Sequence, residues 1–208
     1  NQACNALALD FGLVPDHLCG EVVAALAADI RAHADHLTTG NLATKSLLEV
    51  LSEHGHEELA LALATQTTYP SWGFMLERGA TTLWERWEEL SGTGMNSHNH
   101  PMFGSIGSWF YRHVAGLRFA TPDQHGLVVE ICPPRLPGIE WAEAGVETVH
   151  GPVVVRWRRE PRGICVHCEV PWNCSALLRG TVHRLPRRVP PGSHEFLMPT
   201  DQHQHPQI

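Results

Sequence analysis

A glutamate flanked by tryptophans is the first feature of this sequence that could do chemistry. Glu85 lies in the run TTLWERW, next to Trp84 and two positions before Trp87. Indole rings limit the access of water to a carboxylate, and desolvation raises its affinity for a proton, so Glu85 is suited to act as a general base. The alternative is a surface glutamate on a solvated helix, paired with Arg86. The spacing alone leaves both interpretations open.

Two histidines follow in the same stretch. His98 and His100 lie in MNSHNHP, and an imidazole can donate a hydrogen bond to a substrate hydroxyl or accept one from it. Histidines in loops also satisfy local hydrogen bonds, which is the alternative here. Residues 68–101 hold three of the seven tryptophans, and loops that combine aromatic rings, carboxylates and imidazoles commonly form binding sites. We therefore expect a site in this stretch.

A cysteine pair offers a second candidate chemistry. Cys165 and Cys168 have the C-x2-C spacing of a zinc site, but the sequence contains no second such pair to complete four ligands. Ile164, Val166, Cys168 and Val170 alternate as in a strand that buries one face. Cysteine serves there as a small apolar residue. The sequence thus favours a strand, and we expect neither a metal nor another cofactor.

The elements that position the first stretch are predicted to be helices. Apolar residues recur at helical period in four segments, with Gly55 and Gly116 as expected stops; the segments are 22–30, 43–51, 59–66 and 106–114. The short break at 54–56 predicts that its two helices are antiparallel. Every second connection of such a stack emerges at the same end, so we expect the segments 36–41 and 68–101 to lie together.

After Gly116 the apolar residues follow period two, which predicts strands. Residues 147–158 are expected to form two strands around a His-Gly turn, with Val153, Val155 and Trp157 facing the core. The remaining strands are predicted at 127–131, 164–170, 175–183 and 194–198. This pattern predicts an antiparallel β-sandwich.

Charge and composition limit the partners. The net charge is −7, with an acidic excess in residues 1–118 and a balance in 119–208, which indicates two domains. Negative charge disfavours nucleic acid as a partner, and no run approaches the ~18 apolar residues of a membrane span. Unpaired cysteines and the lack of a visible signal sequence favour the cytoplasm. In the polar tail 201–208, His203 and His205 are minor candidates for a metal.

Long motifs carry a family resemblance. HLTTGNLATKSLLEVLSEHGHEELALALATQTTYPSWGFMLERGATTLWERW and the later NSHNHPMFGSIGSWFYRHVAGL resemble the C-terminal half of the catalytic domain of bacterial α-L-rhamnosidases, which are inverting glycoside hydrolases with an (α/α)6 toroid. The resemblance runs from about residue 2 to residue 118. It continues more loosely through PPRLPGIEWAEAGVETVHGPVVVRWRRE, which is similar to the β-sandwich that follows the toroid in that family.

The resemblance implies a fold and a set of roles. Residues 1–118 are expected to form half of a toroid of antiparallel helices, residues 119–200 a β-sandwich and residues 201–208 a tail. Glu85 matches the catalytic base that activates water, and His100 matches a histidine that contacts the bound rhamnose. Trp72 and Trp84 are expected to line the pocket. The implied substrate is a rhamnose-containing glycoside.

The sequence also departs from the family pattern. An inverting glycosidase needs a second carboxyl group as general acid, and the family's acidic motif, which lies well upstream, has no match here. One interpretation is that the chain is the C-terminal portion of a rhamnosidase and works with a missing N-terminal part of the same protein. Another is a non-catalytic carbohydrate-binding or interaction module. A third is an (α/α)6 hydrolase that acts on another sugar, since fold does not fix substrate.

Overall fold

The structure is a computed structural model that describes residues 1–94, 97–123, 126–134, 136–179 and 186–199. The chain divides into two compact units, Asn1–Trp109 and Phe110–Ile208. Helices fill the first unit and strands dominate the second. The predicted order of a helical part followed by a β part is confirmed. The tail 201–208, with His203 and His205, lies outside the described residues.

Six α-helices and two 3-10 turns form the first unit over its described residues. The helices are α1 Gln2–Asp10, α2 Asp16–Ala32, α3 Asn41–Glu53, α4 Glu57–Thr65, α5 Trp72–Glu77 and α6 Ile106–Trp109, and the turns are Gly92–Gly94 and Met102–Ser105. The stripes predicted at 22–30, 43–51 and 59–66 lie in α2, α3 and α4. The stripe at 106–114 is divided between α6 and a π-helical turn, Phe110–Val114, which opens the second unit. No helix among the described residues is long and apolar enough to cross a membrane.

Helix α3 is the centre of the first unit. It contacts α1, α4, α6 and the turn Met102–Ser105, and four of its polar residues are buried, namely Thr44, Ser46, Glu49 and Ser52. The Ser46 hydroxyl donates to the Asp10 carboxylate at 2.6 Å, and the Ser52 hydroxyl accepts from the Trp109 indole N–H at 2.8 Å. Buried polar groups are costly unless they are hydrogen-bonded. These bonds therefore let a helix of mixed composition lie in the core.

The end of α3 is set by Gly55, as predicted. Gly55 has φ +80°, a left-handed conformation that glycine adopts without steric cost. The next residue, His56, donates its backbone N–H to the Leu51 carbonyl at 2.8 Å. This bond closes the helix C-terminus in the Schellman pattern. Helix α4 then begins at once, so the chain reverses within three residues.

Over its described residues, the second unit contains two four-stranded sheets. The first sheet has the order β1-β2-β6-β7 and the second has the order β3-β4-β5-β8. The strands are β1 Leu117–Asp123, β2 Gly126–Ile131, β3 Trp141–Thr148, β4 Gly151–Glu160, β5 Gly163–Val170, β6 Cys174–Leu178, β7 Arg187–Val189 and β8 Gly192–Met198. Inward residues of both sheets share one core, which confirms the predicted sandwich.

Two features of the sheets differ from the prediction. Strand β2 pairs with β6 in parallel, whereas the other pairs are antiparallel. The chain forms β3, β4 and β5 in the second sheet between these two strands, and a connection of that length permits a parallel pairing. The strand predicted at 175–183 ends at Leu178, and residues 180–185 lie outside the described part.

The sandwich core confirms the predicted alternation. Val153, Val155 and Trp157 on β4 are at most 2% exposed. On β5, Cys168 is fully buried, and burial raises the pKa of its thiol to about 11. It therefore stays protonated near neutral pH and packs as an apolar residue. Cys165, three positions earlier, points to the opposite face of the strand, so the C-x2-C pair does not converge on one point.

Gly73 provides a test of the packing of α5. A Cβ atom there would lie 2.4 Å from the Gln66 carbonyl oxygen and 2.9 Å from the Thr67 Cα. Gly73→Ala should lower the free energy of unfolding by about 1 to 3 kcal/mol, because backbone must shift to accept the methyl group. Denaturant unfolding measures this change.

Gly20 is the matched control, since it lies within α2 and a Cβ atom there meets nothing within 4 Å. Gly20→Ala should stabilise the protein by about 0.4 to 1 kcal/mol through the lower entropy of the unfolded chain. Equal effects of the two substitutions would contradict the close approach at Gly73.

Candidate active site

An open cavity of about 690 Å³ lies in the helical unit. Its walls come from three non-helical segments, from Asn41 at the start of α3 and from Phe103. The segments contribute residues 36–40, 69–70 and 85–88, and His33 also lines the cavity. The predicted meeting of segments 36–41 and 68–101 is thereby confirmed. Glu85 is one of the lining residues.

The wall formed by residues 36–41 is held by Gln2, which is fully buried. Its side-chain amide donates to the His36 carbonyl at 3.1 Å, and its amide oxygen accepts from the Thr38 backbone N–H at 2.8 Å. The amide also reaches the Asp29 carboxylate at 3.4 Å. One buried side chain thus satisfies backbone groups that no helix or strand would satisfy.

The wall formed by residues 85–88 is held by Trp87. Its indole N–H donates to the Thr39 carbonyl at 2.8 Å, which ties the two walls together. The ring stacks on Phe103 with centroids 3.8 Å apart and an angle of 23° between the planes. The edge of Trp72 packs against the same ring, with centroids 5.1 Å apart. Because Trp87 is 7% exposed, these contacts fix the segment that carries Glu85.

Trp72 and Trp84 lie behind the cavity surface, and neither is among its lining residues. Each is 6% exposed. The Trp72 indole N–H donates to the Phe103 carbonyl at 3.0 Å, and Trp84 packs edge-on against His98 at 5.9 Å between centroids. Their role in substrate binding stays a prediction.

Backbone hydrogen bonds bring the segments of Glu85 and His100 side by side. Glu85 donates its backbone N–H to the Ser97 carbonyl at 3.1 Å, and His100 donates to the Leu83 carbonyl at 2.8 Å. Glu85 and His100 are both half-buried, and Glu85 lines the cavity whereas His100 does not. Residues 80–91 contain neither helix nor strand, so Glu85 does not lie on the solvated helix of the alternative interpretation.

The His100 ring has a defined orientation. Its Nδ1 accepts from the Met102 backbone N–H at 3.4 Å. An accepting Nδ1 in a neutral imidazole leaves the proton on Nε2. The ring therefore presents a donor at Nε2.

Other polar side chains line the cavity, and the sequence analysis did not single them out. Burial raises the pKa of Tyr69, and the nearby Glu88 carboxylate, which accepts a hydrogen bond from the Tyr69 hydroxyl, raises it further. His36 Nε2 contacts the Thr68 hydroxyl at 2.7 Å. Tyr69 and His36 lie in the two segments that were expected to meet. That expectation could have identified both residues as candidates for lining the cavity. Gln2 lies outside both segments, so the sequence did not indicate its role.

The chain matches two sequence models of one family. Residues 1–114 match the bacterial alpha-L-rhamnosidase 6 hairpin glycosidase domain, and residues 126–195 match the bacterial alpha-L-rhamnosidase C-terminal domain. The chain is 39% identical over 182 residues to the alpha-L-rhamnosidase of Streptomyces avermitilis, covering 84% of this chain and 17% of that protein. It is 36% identical to the alpha-L-rhamnosidase of an Alteromonas species, covering 84% of this chain and 20% of that protein.

Solved structures agree with the sequence relatives. The alpha-L-rhamnosidase of Dictyoglumus thermophilum has a TM-score of 0.87 and 34% identity, over 96% of this chain and 25% of that one. The Streptomyces avermitilis alpha-L-rhamnosidase complexed with L-rhamnose has a TM-score of 0.85 and 34% identity, over 94% of this chain and 21% of that one. The chain thus spans a quarter or less of the length of these relatives. By its helical unit, its sandwich and its sequence, the chain belongs to the bacterial α-L-rhamnosidase family.

Proposed function

We propose that this chain forms the C-terminal part of an α-L-rhamnosidase that cleaves terminal α-L-rhamnosyl residues with inversion, and that Glu85 is its general base. The observation that carries the proposal is the position of Glu85 on the wall of an open cavity. The L-rhamnose complex of the Streptomyces avermitilis relative supports rhamnose as the sugar. The substrate is a rhamnose-containing glycoside, and the reaction needs no cofactor.

The proposed chemistry assigns one proton transfer to this chain. Glu85 takes a proton from water as the water attacks the anomeric carbon, and the glycosidic oxygen leaves from the opposite face. Inverting enzymes place the general acid about 6.5 to 9.5 Å from the base so that the water fits between them. We expect that acid in a segment upstream of Asn1, as in the family, because no motif of this chain matches it.

His100 is proposed to contact a rhamnose hydroxyl. Its Nε2 proton is available for a hydroxyl oxygen because Nδ1 is engaged by Met102. We propose that Trp72 and Trp84 shape the sugar pocket from beneath its surface, because Trp72 donates to the lining residue Phe103 and Trp84 packs against His98. Both rings are buried, so direct contact with the sugar would require the residues that cover them to move.

The test of the base is Glu85→Gln in the full-length product of the gene that encodes this sequence. Glutamine keeps the size of the side chain but cannot take a proton from water. General-base catalysis contributes ~10² to 10⁴-fold, so kcat for an aryl α-L-rhamnoside should fall by that order while KM changes little.

Glu89→Gln is the matched control on the same segment. Glu89 pairs with Arg78 at 3.3 Å on the surface and does not line the cavity, so its loss should leave kcat unchanged. Full activity of Glu85→Gln, or a comparable loss only in Glu88→Gln, would assign the base elsewhere. Sugar binding without hydrolysis by the unmodified protein would favour the non-catalytic module, and hydrolysis of a different aryl glycoside would favour another sugar.

His100→Ala should weaken binding rather than the chemical step, because a sugar hydroxyl loses its partner on leaving water. An unsatisfied polar group costs about 1 to 3 kcal/mol, so KM for the aryl rhamnoside should rise by about 5- to 150-fold. Steady-state kinetics separates the two parameters. Asn99→Ala, at an exposed neighbouring position, is the control and should leave kcat and KM unchanged. A fall in kcat alone for His100→Ala would reject the binding role.

A further inference from the structure

The outward surface of the second sheet contains a shallow cavity of about 370 Å³ that the proposed reaction does not use. We define the Trp141 face as the outward residues that line it. These are Trp141, Glu143, Arg156, Arg158, Cys165, His167 and Glu195. They belong to all four strands of the sheet, so one rigid element carries the whole surface.

Strand register arranges these side chains in two cross-strand rows. Glu143, Arg156, His167 and Glu195 are successive partners across β3, β4, β5 and β8. Trp141 is the partner of Arg158 in the row beside it. Neighbouring side chains in such rows lie about 4.5 to 5.5 Å apart at Cβ. The face is therefore a compact array of donors and acceptors next to one aromatic ring.

Trp141 is 69% exposed, an unusual position for the largest apolar side chain. The backbone around it is fixed. Arg159 donates its backbone N–H to the Glu140 carbonyl at 2.8 Å, and its guanidinium donates to the Ile139 and Leu136 carbonyls. The ring is thus presented to solvent from an ordered strand end, which lowers the entropy cost of binding a ligand on it.

The charged groups are held in place but keep capacity for more hydrogen bonds. Arg156 Nε contacts the Glu143 carboxylate at 2.8 Å, and each side chain is 50% exposed. Arg158 Nε contacts Glu160 at 2.9 Å. A guanidinium has five N–H donors in a fixed plane, so one ion pair orients it without using its terminal amino groups. Such planar groups bind neighbouring hydroxyls in pairs.

The balance of charge selects the class of ligand. Two arginines and two glutamates lie on the face, so it favours neither an anionic nor a cationic partner. Charged residues border Trp141 on its sheet side, and this composition does not match the apolar centre of a protein interface. A neutral ligand with many hydroxyls and one apolar surface fits both parts of the face. Carbohydrate has that chemistry.

We propose that the Trp141 face binds a neutral oligosaccharide, with a sugar ring stacked on Trp141 and its hydroxyls bonded to Arg156 and Glu143. The Trp141 face shares no residue with the cavity that Glu85 lines. The choice of rhamnose as the sugar rests on the proposed function, whereas the existence of the site rests on the geometry of the sheet.

The experiment measures the binding of α-linked L-rhamnose oligosaccharides to the full-length gene product by titration calorimetry. All variants carry Glu85→Gln, which removes the proposed base and protects the probe. Trp141→Ala should lower the affinity of one class of sites about tenfold, equivalent to about 1.4 kcal/mol. Arg156→Gln should lower it in the same class.

Trp172→Ala is the matched control because Trp172 is 82% exposed and does not line the face. It should leave the affinity within about twofold, well under 1.4 kcal/mol. The proposal is overturned if Trp141→Ala binds like the parent, if both tryptophan variants lose affinity equally, or if Trp141→Ala instead changes the oligomeric state. Lack of hydrolysis by the protein with Glu85 intact would reject the proposed function but would leave this comparison of affinities valid.

Discussion

Backbone without helix or strand can form the wall of a cavity only if its N–H and C=O groups find other partners, and the candidate active site depends on this constraint. Segments 36–40 and 85–88 contain neither helix nor strand. The Gln2 amide and the Trp87 indole supply partners to residues 36, 38 and 39, and the Glu85 backbone N–H donates to the Ser97 carbonyl. A side chain with directional polar atoms replaces the missing ladder.

This arrangement bears on the role proposed for Glu85. A general base acts well only when its carboxylate is held in position relative to water and substrate. Glu85 lies between the buried Trp84 and Trp87 in sequence, and its own N–H is bonded to the Ser97 carbonyl. The loop is thus anchored by its buried neighbours rather than by secondary structure. An irregular segment can in this way place a polar group on the wall of an open cavity.

Sequence patterns predicted the parts of the fold that depend on periodicity. The stripes of α2, α3 and α4 and the alternation on β4 and β5 follow from burying one face of a helix or strand. Because every second connection of an antiparallel helix stack emerges at the same end, the order of the helices also predicted that segment 36–41 lies beside the 68–101 stretch. Helix α5 and the parallel pairing of β2 with β6 were not predicted. Neither has a local signal, because a two-turn helix is too short for a periodic stripe and strand partners are set by the tertiary fold.

The candidate site was predicted only in part, for a related reason. Glu85 stood out through its sequence neighbours, and the structure places it on the cavity wall. Gln2 is distant in sequence from everything that it holds, and hydropathy treats a glutamine as a surface residue. Its burial becomes favourable only through bonds to residues 36 and 38. A residue whose role depends on partners that are remote in sequence leaves no trace in local composition.

Tryptophan has two different roles in this protein: a buried hydrogen-bond donor and an exposed aromatic ring. An indole has one N–H donor, and burial requires an acceptor for it. Trp72, Trp87 and Trp157 donate to the carbonyls of Phe103, Thr39 and Val114, and each of these bonds orders a segment near an element boundary or a loop. Trp141 has no such constraint on its ring and is open to solvent. The buried tryptophans therefore indicate where irregular backbone is held by an indole hydrogen bond. Solvent exposure distinguishes from them a ring, such as Trp141, that is open to a ligand.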